Sequence, residues 1–431
     1  MEGKKIALVT YYWPPAGGPG VQRWLKFVKY LAPAGYEVHV IIPENPSYPF
    51  LDDSLISDVP EEVILVPQAI IEPYRLAELV GKKKVKSMGT GVLPPESKQS
   101  FLQRIALFIR GNAFVPDARI LWVKPTSSFL EKYLVEKDIQ TLITTGPPHS
   151  VHLIGMNVKR SVQGLRWIAD FRDPWTTIEY HDSLRMTERT KSVHKRMESE
   201  VLNSADDILV TSKGTEREFR QITPKPIHVI TNGFDSEVKH LEQLDDFFSI
   251  KHVGSLLSGR NPQALWAALK RLSTEVEGFS TSVRLQLYGA VSAEVLESIK
   301  RFGLENITDL KGYIPHAEVV GRLAASQILL LIEANNPKKR CILPGKLFEY
   351  LSSGRPVVAV GVAGSDIEEI LESSGGGRYF HYDDEQKIYD HLLDLFTAYK
   401  NGKSNPGADN VMQYHRKTLC NQLIALLESN P

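Results

Sequence analysis

Cysteine is scarce in this sequence. The chain of 431 residues contains only Cys341 and Cys420, which lie far apart and lack the spacing of a zinc site. Two cysteines are too few for a disulfide framework, so the pattern favours a protein of the reducing cytoplasm.

Long apolar runs are absent as well. No stretch reaches the roughly 18 consecutive apolar residues that a membrane-spanning helix needs. The charged start at residues 1–5 is followed by an apolar run of only about five residues, which is too short for a signal peptide. We therefore expect a cytoplasmic location.

The sequence has no excess charge of either sign. Lysine and arginine together number 51, and so do aspartate and glutamate. No whole-molecule field draws the chain to nucleic acid, so we expect no nucleic-acid partner. With 42% hydrophobic and 24% charged residues, the chain is typical of a folded protein large enough for two domains.

Several common catalytic motifs are missing. The sequence contains no Walker A loop, no His-Glu-x-x-His, no Gly-x-Ser-x-Gly and no Cys-x-x-Cys, which argues against the usual ATPases, zinc hydrolases, serine hydrolases and thiol oxidoreductases. No Asp-x-Asp triplet follows a suitable strand. We expect neither a metal nor a cofactor.

Apolar runs of strand length alternate with helical patterns through the whole chain. This rhythm predicts an α/β protein made of two doubly wound, Rossmann-like domains with parallel sheets. The best linker is the polar segment 236–247, so we place an N-terminal domain at 1–238 and a C-terminal domain at 239–431. A last helix near 410–427 could pack back on the first domain. The predicted strands are residues 6–12, 37–42, 63–66, 141–145, 167–169, 208–210, 250–253, 283–288, 328–332 and 356–360.

Residues 70–125 fit this rhythm poorly. They contain a lysine-rich run at 82–86, a stretch rich in glycine, proline and serine, and an amphipathic pattern at 101–110. We interpret this segment as an insertion in the first domain.

Ligands of open parallel sheets bind beyond the carboxyl ends of the strands, so loops that follow strands are the candidate sites. The first such loop, residues 13–20, contains Gly17 and Gly18 and leads into a helix. Its glycines would let a sugar or phosphate approach the backbone. A plain tight turn remains open, and so does a dinucleotide site, although the third glycine of Gly-x-Gly-x-x-Gly is missing.

Two loops of the second half carry charge suited to a nucleoside diphosphate. Arg260 lies between a strand and a helix and could bind phosphate oxygens. Lys346 and Glu349 are three residues apart on one helical face, where they could bind phosphate and ribose hydroxyls. The alternatives are a solvated arginine and an ordinary surface Lys–Glu pair.

A fourth group follows strands of the first half. His149 could bind an acceptor or orient a sugar, and Asp173 or Asp170 could accept a hydroxyl proton. Arg172 and, at the end of the first domain, Asn232 complete the side chains that we expect on the acceptor side. Single histidines and aspartates are often structural, and that alternative stays open.

Taken together, these stretches resemble the retaining family 4 glycosyltransferases of the GT-B fold, particularly bacterial enzymes of cell-surface polysaccharide synthesis. The resemblance covers residues 11–31, 145–152, 169–175, 232–235, 254–262 and 344–358. It implies two Rossmann-like domains that face each other across a cleft, and a nucleotide sugar held mainly by the C-terminal domain.

The resemblance also implies roles. Gly17 and Gly18 would face the donor phosphates and sugar, Arg260 and Lys346 would bind the diphosphate, and Glu349 would bind ribose. Retention would use the leaving diphosphate to help deprotonate the acceptor, so no strong protein base is required.

Two positions depart from the family pattern. Cys341 replaces the first of two glutamates, which alters recognition of the sugar hydroxyls, and Ser255 replaces a frequent arginine. Donor affinity or donor type could differ accordingly.

The acceptor implied by the resemblance is a saccharide, in many such pathways linked to a polyprenyl diphosphate at the inner face of the membrane. The lysine-rich run and the pattern at 101–110 could give peripheral membrane contact, or could be a solvated run beside a core helix. Two other functions remain open: a non-hydrolysing nucleotide-sugar epimerase, and a catalytically silent subunit that binds sugar nucleotides.

Overall fold

The computed structural model describes residues 4–72, 101–235, 243–403 and 410–429. The chain forms two compact units, the first made of Met1–Thr231 and Leu419–Pro431 and the second of Asn232–Thr418. The division therefore lies at Thr231 rather than at residue 238, and the final residues belong to the first unit. Residues 236–242 of the expected linker lie outside the described part.

The first unit is built on a parallel sheet of seven strands in the order β3-β2-β1-β4-β5-β6-β7. Alternate residues of β1 enter different cores: Ala7 and Val9 pack on one face, and Ile6 and Leu8 on the other. A strand that is buried on both faces needs an apolar run rather than an alternating pattern, as its sequence shows. The strands are β1 Lys4–Thr10, β2 Tyr36–Pro43, β3 Ile64–Gln68, β4 Thr141–Gly146, β5 Arg166–Phe171, β6 Asp207–Val210 and β7 Ile227–Val229.

Helices connect these strands and supply apolar faces to both layers. Trp24 and Leu25 belong to one core, and Trp122 to the other. The α-helices are Pro19–Leu31, Phe101–Ala113, Ile120–Glu136, Ser150–Ser161, Glu188–Ser204 and Lys213–Phe219.

The second unit has the same plan. Its six parallel strands run in the order β10-β9-β8-β11-β12-β13. Their bounds are β8 Phe248–Val253, β9 Val283–Tyr288, β10 Thr308–Gly312, β11 Ile328–Ile332, β12 Val357–Gly361 and β13 Gly377–His381. The α-helices are Gln263–Glu275, Phe279–Ser282, Ala293–Arg301, His316–Ala324, Gly345–Ser352, Asp366–Ser374 and Glu385–Lys400. Each unit is thus a doubly wound, Rossmann-like domain, as the sequence predicts.

The final helix, Arg416–Glu428, completes the core of the first unit. Leu419, Cys420 and Leu423 are buried in the same layer as Trp24 and Leu25. The expected helix start at residue 410 is wrong, because a short 3₁₀ turn at Val411–Tyr414 and extended backbone at His415 precede the helix.

Three short strands escape prediction because they lack a buried apolar run. β7 has three residues, and β10 and β13 are largely unburied at the two edges of their sheet. The expected insertion also ends too late. Trp122 and Val123 lie in a core helix, because apolar side chains of this helix pack beneath the sheet.

No helix among the described residues is long and apolar enough to cross a membrane. The lysine-rich run at 82–86 lies outside the described residues.

Candidate functional site

Both sheets change winding direction between their first and fourth strands. In the first unit β1 neighbours β2 and β4, and in the second unit β8 neighbours β9 and β11. The carboxyl ends of such strand pairs form the crevice in which doubly wound domains bind ligands.

In the second unit a glycine turn follows β8. Gly254 has a φ of 118°, and Gly289, at the end of β9, has a φ of 110°. A β-carbon on Gly289 would lie 2.8 Å from the carbonyl of Gly254, so only glycine fits between the two loops. The Gly254 amide donates to the Tyr288 carbonyl at 2.8 Å. The turn is therefore tight, and neither glycine fills the space at the end of β8 with a side chain.

Lys346 reaches this space from the first turn of the helix Gly345–Ser352. Its Nζ atom lies 3.4 Å from the position that a β-carbon on Gly254 would occupy. Burial and the positive charge of Arg260 together lower the pKa of Lys346 to about 7. No carboxylate of the described residues lies within ion-pair distance of Nζ, so the site can accept an anion.

Arg260 is the second cation of the site. Its guanidinium donates to the Ser255 carbonyl at 3.2 Å, while its Nε is buried without a partner among the described residues. Because two positive charges share one strand end beside a helix N-terminus, a phosphate or diphosphate would relieve their repulsion.

Glu349 lies one turn after Lys346, and its negative charge raises the pKa of the lysine. The next residue, Tyr350, fixes the helix to the sheet: its hydroxyl accepts from the Val253 amide at 2.8 Å. The structure thus places Arg260, Lys346 and Glu349 at one end of one sheet.

Glu333 is a residue of this region that sequence reasoning missed. It directly follows β11, is only 8% exposed, and accepts a hydrogen bond from the Tyr379 hydroxyl at 2.5 Å. Burial raises the pKa of Glu333, the nearby charge of Arg260 opposes this rise, and the resulting pKa is about 7. A carboxylate immediately after an apolar strand was the signal that could have identified it.

In the first unit the loop after β1 is held against residues 50–52. The Gly17 amide donates to the Phe50 carbonyl at 2.9 Å, and the Asp52 amide donates to the Pro15 carbonyl at 2.8 Å. Gly18 has a φ of 95° directly before the helix Pro19–Leu31, so glycine is required there. The glycine loop therefore has a defined shape with its backbone at the strand end.

Arg172 joins three loops at this edge. Its guanidinium donates to the carbonyl of Gly20, in the first turn of the helix after β1, and to the carbonyls of Gly146 and Pro147, where β4 ends. Because its donors are used by the backbone, we assign Arg172 to positioning these loops rather than to direct contact with an acceptor.

Asp170 does not line an open surface, in contrast to the expectation from the sequence. It is fully buried and pairs with Arg23 at 2.9 Å. Its carboxylate also accepts from Trp24 and Thr145, each at 2.7 Å, and these donors and the Arg23 charge lower its pKa despite its burial. A carboxylate with these partners is structural, so it is not suited to accept a substrate proton.

Asp173 and His149 remain at the edge as potential reactive groups. Burial raises the pKa of Asp173, which is half-buried. His149 stacks on Trp175 at 4.8 Å with the rings nearly parallel, and burial keeps its imidazole neutral by lowering its pKa. Its Nδ1 atom is buried without a hydrogen-bond partner among the described residues. Both side chains could serve a ligand of the first unit.

Two further positions are less informative. Asn232 is the first residue of the second unit and is half-buried in a loop whose Gly233 carbonyl accepts from Arg416 at 3.0 Å. Cys341, where the family pattern has a glutamate, is buried.

Comparison with known proteins agrees with this geometry. Residues 248–398 match the family model described as "Glycosyl transferases group 1". No curated protein matches the sequence. The matched range contains Arg260, Glu333, Lys346 and Glu349.

Solved structures resemble the chain over nearly its full length. Sucrose-phosphate synthase from Thermosynechococcus elongatus has a TM-score of 0.60 and 13% identity, covering 98% of each chain. Anabaena HepE, solved with UDP-glucose, has a TM-score of 0.57 and 15% identity, covering 99% of this chain and all of its own. A Listeria monocytogenes protein assigned as a UDP-N-acetylglucosamine 2-epimerase has a TM-score of 0.52 and 13% identity, covering 99% and 96%. The chain therefore has the GT-B fold, and its residues 248–398 match the group 1 glycosyl transferase family.

Proposed function

We propose that this protein is a glycosyltransferase that takes a sugar from a nucleoside diphosphate sugar and transfers it to a saccharide or lipid-linked acceptor. The observation that carries this proposal is the pair of cations, Arg260 and Lys346, at the end of β8 in the group 1 domain. Two adjacent positive charges without a carboxylate in ion-pair contact suit a diphosphate better than a neutral ligand.

The second unit holds the donor in this proposal. Arg260 and Lys346 bind the diphosphate, and the carboxylate of Glu349 accepts hydrogen bonds from ribose hydroxyls. Because the two cations neutralise the leaving diphosphate, transfer requires no metal ion. The nucleotide sugar is a substrate, and no cofactor takes part.

The first unit contributes to transfer and binds the acceptor. The backbone of Gly17 and Gly18 faces the donor phosphates and sugar, and the neutral imidazole of His149 orients the sugar or the acceptor. Asp173, whose pKa is raised by burial, takes a proton from the acceptor hydroxyl in this proposal, together with the leaving diphosphate. Asn232, the first residue of the second unit, contributes to the acceptor side.

The finer assignments rest on the resemblance to retaining family 4 enzymes. We propose retention at the anomeric carbon of a hexose and a role in bacterial cell-surface polysaccharide synthesis. The protein acts in the cytoplasm, with peripheral contact at the inner face of the membrane when the acceptor is polyprenyl-linked. The exposed apolar side chains Ile105, Phe108 and Ile109 on one face of the helix Phe101–Ala113 support such contact.

Donor binding is tested by calorimetric titration with UDP-, GDP- and ADP-sugars. We expect one nucleotide to bind selectively, and Arg260→Ala and Glu349→Ala to weaken it at least tenfold. Lys270→Ala, an exposed cation on the helix Gln263–Glu275, is the matched control and should bind as the wild type. A folded wild-type protein that binds none of the sugars would disprove the donor site.

Turnover separates the remaining alternatives. With the selected donor and a panel of saccharide acceptors, a glycosyltransferase forms a glycoside, and the proton coupling of its anomeric centre reports retention. Product formation should survive a metal chelator. An epimerised donor without a glycoside would identify an epimerase, whose fold the Listeria structure shares. Donor binding without any product would identify a silent subunit.

A further inference from the structure

A buried carboxyl group borders the proposed diphosphate site without belonging to it. Successive residues of a strand point to opposite faces of the sheet, so Glu333, two residues after Leu331, points to the same face as Leu331 and Leu329. These leucines pack with Leu347 and Phe348. The Glu333 side chain therefore lies on the face of the sheet that the helix bearing Lys346 covers. On the other side, the Asn335 amide donates to the Gly259 carbonyl at 2.8 Å, which joins the Glu333 loop to the Arg260 loop.

The surroundings hold this carboxyl group in one place. The Glu333 amide donates to the Val360 carbonyl at 2.9 Å, and the Tyr382 hydroxyl donates to the Glu333 carbonyl at 2.7 Å. Gly361 leaves the necessary space, since a β-carbon there would collide with Oε2 of Glu333. The backbone of Glu333 is thus held by β12 and by Tyr382, and its carboxyl group by Tyr379 of β13.

The charges around Glu333 are mixed. Hydrogen bonds from Tyr379 and Ser365 and the positive charge of Arg260 favour the carboxylate, whereas burial and the negative charge of Asp366 favour the neutral acid. The balance brings the pKa to about 7. The group therefore carries a substantial negative charge near neutral pH and a full one in mild base.

A negative charge near Arg260, one of the two proposed phosphate-binding cations, weakens the attraction of the site for anions in general. The loss of binding affinity is smallest for a ligand in which the group attached to the diphosphate is neutral, such as a sugar. It is largest for a ligand that carries a further phosphate there. A glutamine at position 333 would fill the same space and could accept the hydrogen bond from Tyr379, but it would carry no charge. The negative charge is therefore the property that distinguishes Glu333 from a glutamine.

We infer that Glu333 is a specificity residue of the proposed donor site, whose negative charge disfavours nucleoside triphosphates relative to nucleoside diphosphate sugars. This inference rests on the proposed function. It assigns to Glu333 a role in selection, distinct from the phosphate-binding role of Arg260 and Lys346. In a cell, such selection would keep abundant triphosphates from occupying the site.

The test measures the ratio of dissociation constants for two ligands with the same base: UTP and UDP-glucose, GTP and GDP-mannose, ATP and ADP-glucose. The pair is chosen by the base that the wild type binds, so recognition of the base cancels. At pH 8 we expect Glu333→Gln to bind the triphosphate more tightly relative to the nucleotide sugar. The dissociation constant of the triphosphate divided by that of the nucleotide sugar should fall about tenfold. At pH 6, where the wild-type group is mostly neutral, the two proteins should differ little.

Two further variants complete the experiment. Glu297→Gln, on an exposed helical surface of the same unit, should leave the ratio unchanged. Tyr379→Phe removes a hydrogen bond that stabilises the carboxylate, so the discrimination should persist but begin at higher pH. This second variant keeps the inference testable if Glu333→Gln does not fold.

The outcomes separate the two proposals. If Glu333→Gln binds both nucleotides with the wild-type ratio at pH 8, the specificity role is overturned while the donor site stands. A pH midpoint that does not move in Tyr379→Phe also counts against the inference. If the wild type binds no nucleotide of any pair, the proposed function fails, and this inference fails with it.

Discussion

Gly254 and Lys346 face each other at the end of β8, where a β-carbon on the glycine would lie 3.4 Å from Nζ of the lysine. The glycine also has a φ of 118°, which side chains of other residues rarely tolerate. The lysine can occupy the strand end because its neighbour has no side chain. The shape of the anion site thus depends on a residue without functional groups.

Replacing Gly254 should therefore impair nucleotide binding. We expect Gly254→Ala to weaken binding of the selected nucleotide sugar about tenfold or more, because the strained turn shifts and the added methyl group crowds Lys346. Gly259→Ala, in the same loop, is the control, since its φ is not positive and nothing lies within 4 Å of its β-carbon position. Equal affinities of the two variants, measured by calorimetry, would contradict this account.

Donor binding should be linked to proton uptake at Lys346. Its pKa is about 7 in the free protein, and a bound diphosphate stabilises the ammonium and raises that pKa. Affinity should be highest below pH 7 and should fall up to about tenfold per pH unit above it, until the pKa of the complex is reached.

Calorimetry in two buffers of different ionisation enthalpy would report the number of protons taken up near pH 8. Lys346→Arg, whose side chain stays charged, should bind with a flatter pH dependence. A wild-type affinity that does not change between pH 6.5 and 8.5 would argue against protonation of Lys346 as a part of binding.

The buried pair of Arg23 and Asp170 should be essential for the first unit. Arg23→Met leaves the carboxylate without its cation, and we expect the free energy of unfolding to fall by about 3–5 kcal/mol. Lys191→Ala removes an exposed ion pair to Glu188 and should leave the free energy of unfolding nearly unchanged. Urea titration followed by tryptophan fluorescence is suitable, because five of the six tryptophans lie in this unit. Similar losses in both variants would refute the structural role of Asp170.

Acid should destabilise the first unit through its buried histidines. Burial lowers the pKa of His152 to about 3 and that of His181 to about 4, below the value of about 6.5 expected for unfolded chains. Between pH 6.5 and 4 only the unfolded chain gains these protons. The free energy of unfolding should thus fall by about 1.4 kcal/mol per pH unit for each histidine.

Replacing His181 separates the contribution of a buried histidine to acid destabilisation from that of the carboxylates, which also titrate in acid. His181→Gln should reduce the slope of unfolding free energy against pH by the contribution of one histidine, whatever its effect at pH 7. Urea titrations at pH 7, 6 and 5 give both slopes. Parallel slopes for the variant and the wild type would show that His181 does not titrate on unfolding.

Much of the fold could be read from the sequence because both sheets are parallel and buried on two faces. That arrangement requires apolar runs, and these predict β1 and β11 directly. The edge strands β7, β10 and β13 have no such run, which explains why they were missed. The helix Ile120–Glu136 was partly assigned to an insertion because it follows an irregular segment, although Trp122 is buried in the core.

Prediction of the candidate site also succeeded only where a residue lies in a recognisable local pattern. Arg260, Lys346 and Glu349 could be proposed because each follows a strand or begins a helix within a recognisable pattern. Asp170 occupies an equally suggestive position, yet its partner Arg23 lies 147 residues earlier, and such a distant pair has no local signature. Glu333 was missed because its significance depends on Tyr379 and Gly361, which belong to other strands.

The return of residues 419–431 to the first unit has a consequence for synthesis on the ribosome. Leu419, Cys420 and Leu423 belong to the same hydrophobic core layer as Trp24 and Leu25, which lie nearly 400 residues earlier in the sequence. The first unit therefore cannot close this layer until the entire second unit has been translated, although domains generally fold in the order in which they emerge. During that interval its exposed apolar surface is a natural binding site for chaperones, and truncation of the last helix should send the nascent chain to aggregation rather than to a shorter active enzyme.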